Sequence, residues 1–174
     1  MLQAGHDWNE GVGPCQATTT FCFYAPGIRR GRSWEAILNH RGKARFTAYS
    51  AGSHPSGQLR PKALRQIESA GMPTNGLRSK SWDAAPGAPK PDFVFILCDN
   101  AANEVGPYWP GQPMTAHWGI PDPAAIKGAP EEVERAFRDA FVALDRRIGL
   151  FLSLPLGTLD QLAIKREVEN IGRS

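Results

Sequence analysis

The chain lacks any apolar run long enough to cross a bilayer, and its first residues hold no basic stretch followed by an apolar core. The sequence therefore predicts a soluble, cytoplasmic protein with no membrane association. It is short of cysteine: Cys15, Cys22 and Cys98 are odd in number and widely spaced, which makes a poor disulfide framework and gives no metal-ligand spacing. It also lacks an excess of one charge. A net +3 over 174 residues, with the signs mixed, is too little to argue for a nucleic-acid partner. No metal and no cofactor is expected.

Glycine and proline are plentiful, 18 and 15 residues, and many fall before residue 35 or within 84–130, so those regions should be loop-rich. Residues 1–17 carry neither a helical nor a strand period and are expected to form an irregular tail; residues 18–174 suffice for one α/β domain. Thr18 to Tyr24 is β-branched and apolar, a buried strand, and Glu35 to His40 predicts a short helix ended by Arg41-Gly42. Between them lies the loop Ala25-Pro26-Gly27-Ile28-Arg29-Arg30-Gly31-Arg32-Ser33. Where a strand ends and a helix begins, free backbone N–H groups and the helix dipole converge, which suits a phosphate-like oxyanion. Gly27, Arg29 and Arg30 are the candidate anion-binding residues.

Further on, Arg45 to Ser50 alternates as a second strand, and a helix opens at Arg60-Pro61 with Ala63, Leu64, Ile67 and Ala70 on one face, ended by Gly71. Asp92 to Cys98 is continuously apolar after its first residue, as a central parallel strand buried on both faces would be, and it delivers Cys98 to the sheet's carboxyl edge. The long Pro-rich segment from Asn103 to Pro123 contains a short strand at Met114 to Trp118. A strong amphipathic helix follows from Ala129-Pro130, with Val133, Phe137, Ala140, Phe141, Leu144, Ile148 and Phe151 at helical spacing. Thr158 to Gln161 predicts a capping box for a last helix ending near Gly172. The alternation of strand and helix predicts a parallel sheet with helices on both faces. His54 and His117 are assigned structural hydrogen bonding, and Trp109 and Trp118 packing of the long loop.

From Glu35 onward the sequence resembles arsenate reductases of the low-molecular-weight protein tyrosine phosphatase family. The resemblance rests on Glu35 to His40, Tyr49 to Pro55, Leu77 to Trp82, Cys98 to Ala102, Trp109 to Pro113 and Met114 to Pro123. It implies a flavodoxin-like three-layer α/β fold of the phosphotyrosine phosphatase I type, with a four-stranded parallel sheet. It also implies a thiol relay in arsenic detoxification. A nucleophilic Cys opening a Cys-x5-Arg-Ser loop attacks arsenate, and a second Cys displaces arsenite by forming a disulfide. In many members a third Cys passes that disulfide on to thioredoxin, and an Asp before Pro is the general acid.

By this resemblance Asp122 holds the general-acid position and Cys98 that of the second thiol, while the third thiol falls at Gly106 and the nucleophile at Tyr24. Arg30 stands six residues after Tyr24, where the family's anion-binding Arg stands, but no Cys-x5-Arg occurs anywhere in the chain. Cys22, two residues back on the same side of the pleat, is the alternative nucleophile, with buried strand thiol as the simpler reading. The expected function is that of an arsenate reductase-like protein, inactive as written. Its partners would be arsenate or a phosphate-like oxyanion and, if active, thioredoxin or glutaredoxin with glutathione. A tyrosine phosphatase-like enzyme and a non-catalytic oxyanion-binding remnant remain the alternatives.

The loop has a simple account. Family loops commonly read Val-Leu-Phe-Leu-Cys-Thr-Gly-Asn-Ser-Ala-Arg-Ser-Ile-Leu-Ala before the Glu-Ala helix. With a permitted choice of synonymous codons, reading that stretch one base late yields Phe-Cys-Phe-Tyr-Ala-Pro-Gly-Ile-Arg-Arg-Gly-Arg-Ser-Trp, which is Phe21 to Trp34 without a mismatch. The expectation is a chain translated out of frame through Trp34 and in frame from Glu35.

Overall fold

A computed structural model describes residues 19–24, 31–51, 61–75, 77, 90–97 and 111–174. Its four strands are β1 (Thr19–Tyr24), β2 (Phe46–Ala51), β3 (Phe93–Ile96) and β4 (Met114–His117). They pair in the order β2-β1-β3-β4, and every neighbouring pair is parallel, as the strand–helix alternation predicts. The continuous apolar run of β3 is explained by its central place. Phe93 and Phe95 enter the main core, while Val94, facing the other way, is equally buried, so both faces of the strand are covered. The strand is shorter than Asp92 to Cys98 because the ladder stops at Ile96; the carbonyl of Leu97 instead takes the N–H of Ile120 at 3.4 Å.

The helices are α1 (Gly31–Gly42), α2 (Pro61–Ser69), α3 (Pro130–Leu152) and α4 (Gln161–Gly172). Trp34, Ile37 and Leu38 of α1, Leu144, Ile148 and Phe151 of α3, and Val168 and Ile171 of α4 share one core with Phe46, Phe93, Phe95 and Trp118. Trp118 is at its centre. Its ring lies 4.2 Å from Phe95 and 5.0 Å from Trp34, and its indole N–H donates to the carbonyl of Val168 at 2.7 Å. That satisfies the polar handle of a side chain only 1% exposed. Gly172 permits this approach of α4, since a Cβ there would lie 2.5 Å from the carbonyl oxygen of His117. At the opposite edge of the sheet, the Asn39 side chain takes the N–H of Ala48 at 2.8 Å and donates to its carbonyl at 3.0 Å, so α1 satisfies an edge strand's backbone groups. α2 is pinned to α3 through Glu134, which accepts from Gln66 at 3.1 Å and pairs with Arg65 at 3.2 Å.

Several local expectations are corrected. α1 begins at Gly31, not Glu35: the fold needs a helix directly after the loop, but Gly31 to Trp34 supplies no acidic first turn to announce one. Gly42 is not a left-handed cap, for Lys43 takes the positive φ of 48°; glycine at 42 instead leaves room for the Phe46 ring, 2.9 Å from where a Cβ would sit. Ala70 lies beyond α2 and is exposed, whereas Gly71, with φ of 70°, ends that segment as expected. Asp160 rather than Thr158 caps α4, its carboxylate accepting from the N–H of Ala163 at 2.8 Å, because the Thr158 hydroxyl is used on the carbonyl of Pro155. His117 is an exposed residue ending β4. The expected tail 1–17, His54 and Trp109 lie outside the described residues. No described helix is long and apolar enough to cross a membrane.

Candidate functional site

The four strands end level with one another. Ala51, Tyr24, Ile96 and His117 are register partners across the sheet and form its last row at the carboxyl edge. In an open parallel sheet this edge is where strand-to-helix loops converge and ligands bind. Tyr24 closes β1, and α1 opens at Gly31, so the loop that carries Gly27, Arg29 and Arg30 connects the edge to a helix N-terminus; those three residues lie outside the described set. Cys98 and Gly106 also lie outside it. Cys22 is in β1, register partner of Tyr49 and Val94, two rows back from the edge.

Asp122 is five residues past the end of β4 and half-buried, beside a buried Pro123. Its Oδ1 accepts the N–H of Ala124 at 3.0 Å and its carbonyl accepts the N–H of Ala125 at 3.0 Å. The Asp-Pro turn is thus stabilised by its own carboxylate, which also fixes that carboxylate's direction.

Four residues at this edge were not singled out from the sequence. Glu35, only 6% exposed, accepts the Ser50 hydroxyl at 2.5 Å, tying the second turn of α1 to the end of β2. A carboxylate buried this deeply needs such a partner, but the pairing joins residues far apart in sequence and no local pattern gives it. Ser33, in the first turn of α1, is also buried and borders a cavity of about 20 Å³ shared with Ala63, Ile120, Pro123, Phe137 and Leu144. Arg147 is the fourth. It occupies the core-facing stripe of α3, three residues after Leu144 and four before Phe151, and burial together with the charge of Arg146 holds its guanidinium below the ordinary value. A charged residue on an apolar stripe was the one signal legible beforehand.

Among the described residues no three His, Cys, Asp or Glu side chains converge to hold a metal ion.

The strand order β2-β1-β3-β4, all parallel, with helices packed on the sheet, defines a flavodoxin-like α/β protein. Residues 25–156 match the family model described as low molecular weight phosphotyrosine protein phosphatase, and the chain belongs to that family. Among curated relatives, an arsenate reductase of Halalkalibacterium halodurans is 33% identical over 61% of this chain and 74% of its own length. One from Shouchella clausii is 30% identical over 70% of this chain and 86% of its own. Solved structures with the same fold include an arsenate reductase in the phosphate-binding state, with a TM-score of 0.60, 18% identity and coverage of 78% of this chain and 98% of that one. Another is the tyrosine phosphatase Wzb from Escherichia coli K30 in complex with sulphate, with a TM-score of 0.61, 17% identity and coverage of 78% and 97%.

Proposed function

We propose that this chain is an arsenate reductase-like protein whose oxyanion site lies at the carboxyl edge of the sheet and which, as written, does not turn over. The observation that carries the reading is the level row of strand ends, with Tyr24 where the relay's first thiol belongs and Asp122-Pro123 downstream of β4. Reduction of arsenate requires two electrons from sulfur: a thiolate attacks arsenic and displaces one oxygen, which leaves as water, then Cys98 attacks that sulfur, the S–As bond breaks with its electron pair going to arsenic, and the disulfide and arsenite result. A phenolic oxygen cannot complete this sequence, since it forms no disulfide. Asp122 would serve the leaving oxygen as general acid, and Gly27, Arg29 and Arg30 would attract the oxyanion. The Cys98-Asp99-Asn100 motif favours reductase over tyrosine phosphatase, because a phosphatase has no use for a second thiol.

Purified protein incubated with arsenate and either thioredoxin or glutaredoxin with glutathione is expected to form no arsenite above the protein-free rate. Thiol-dependent turnover would overturn the reading and turn attention to Cys22. If the chain keeps a non-catalytic oxyanion site instead, millimolar phosphate, arsenate or sulfate will raise its melting temperature; no shift removes that alternative.

The first turn of α1 supports an out-of-frame origin of the loop. Counting back from Glu35, the family wording puts Ala at 34 and Leu at 33, whereas this chain has Trp34 and Ser33. Trp34 is fully buried, its ring 5.0 Å from that of Trp118. Ser33, also buried, borders a small cavity walled mostly by apolar side chains, which leaves room beside it for aliphatic atoms. Ser33→Leu is therefore expected to stabilise the protein by about 1 kcal/mol, a Tm gain of about 2–4 °C by thermal denaturation. An unchanged or lower Tm would show that position 33 is not short of an aliphatic side chain.

A further inference from the structure

Arg147 reaches from α3 to the chain that leaves β4. Its Nη1 donates to the carbonyls of Trp118 and Gly119, both at 3.1 Å, while Nε and Nη2 donate to the backbone oxygen of Ser174 at 3.3 and 3.1 Å. The side chain is 9% exposed, so these are hydrogen bonds from a charged group in a poorly solvated setting, where each is stronger than a neutral one. What the guanidinium grips is a short strap. Trp118 donates its N–H to the carbonyl of Ile96 at 2.7 Å, Ile120 donates to the carbonyl of Leu97, and two residues later Asp122 closes its turn on Ala124. Leu97 immediately precedes Cys98. Residues 118–120 therefore connect the end of β3, from which Cys98 extends, to the turn that carries Asp122, and Arg147 is the side chain that fixes them from the helix layer.

We propose that Arg147 is a positioning residue for this site: it sets the place of the Asp122 turn relative to the end of β3 without touching the oxyanion. The assignment rests on the reading of Asp122 and Cys98 as the family's acid and second thiol, but the clamp itself is testable without turnover. The planar guanidinium matters because it serves two adjacent carbonyls from one nitrogen and a third oxygen from the other two. Lysine keeps the charge and offers a single donor point.

The test is amide hydrogen exchange on the full chain, comparing Arg147→Met and Arg147→Lys with the parent. In Arg147→Met, exchange across residues 118–125 should accelerate about tenfold or more, with residues 93–96 of β3 changed by much less. Arg147→Lys should restore part of the lost protection. If Arg147→Met fails to fold, Arg147→Lys alone is read the same way, with a local acceleration confined to 118–125 as the expected result. Unchanged exchange in 118–125, or an acceleration shared equally with β3, would overturn the proposal, the latter because it describes a residue that merely stabilises the whole fold. Arsenate turnover by the parent chain would instead sink the reading of Tyr24 and leave the clamp standing.

Discussion

Replacing residues 21–34 by the loop of the alternative frame, so that a Cys-x5-Arg begins at the end of β1, is expected to give the chain the arsenate reductase turnover that it is proposed to lack as written. The gain should be large, on the order of 10⁵- to 10⁶-fold over the parent, the scale lost when an enzyme's nucleophile is removed. The physical reason lies in what is already in place. β1 ends in the same row as β3, α1 begins a few residues later, and the backbone amides and helix dipole at such a junction depress a thiol pKa so that the thiolate is present at neutral pH. The Asp122 turn and the end of β3 are held together by the strap at residues 118–120. Arsenite release with thioredoxin, and separately with glutaredoxin and glutathione, measures the gain and identifies the reductant. Gly106 in place of a third thiol predicts that the glutaredoxin system is the more effective. A restored-loop protein that folds, binds phosphate and still forms no arsenite would show that Cys98 or Asp122 does not do what the family relation implies.

The second large effect is on stability. Trp118→Ala removes the side chain on which the helix layer and the sheet converge: contacts with Phe95, Trp34 and Phe151 and the bond to Val168 are lost together. A cost of about 3–5 kcal/mol is expected, and a Tm lower by about 10 °C or more. Trp118→Phe is the milder change, since it keeps much of the apolar area and loses the indole hydrogen bond and part of the ring volume, a cost of about 1–2 kcal/mol. Calorimetry that found Trp118→Ala within a degree or two of the parent would contradict the central place given to this residue.

Much of this architecture could be read in the sequence because its causes are local. The unbroken apolar run at Phe93 to Ile96 announced a central strand, and the stripe from Phe137 to Phe151 announced α3, because burial on two faces and burial on one leave different periods. The Asp-Pro turn was legible from its own chemistry. What escaped depends on contacts between distant segments: the Glu35–Ser50 bond, the Asn39 bracket on Ala48, and the reach of Arg147 to Trp118, Gly119 and Ser174. The start of α1 escaped for another reason. Gly31 to Trp34 is helical because the fold requires it, and its own residues do not ask for a helix, a disagreement between local preference and global structure that ends at Glu35. From that residue on, Glu35, Ala36, Ile37 and Leu38 are all buried and matched to their neighbours.

That the chain changes character between Trp34 and Glu35 is the centre of this account, and the nucleotide sequence across codons 21–34 tests it most directly. A neighbouring frame across these codons is expected to encode an apolar strand followed by Cys-x5-Arg-Ser, with bases gained or lost at the Trp34–Glu35 junction to account for the change of frame there. A gene in which neither other frame encodes that loop would contradict it, and Tyr24 would then be the residue this protein has always carried at the end of β1.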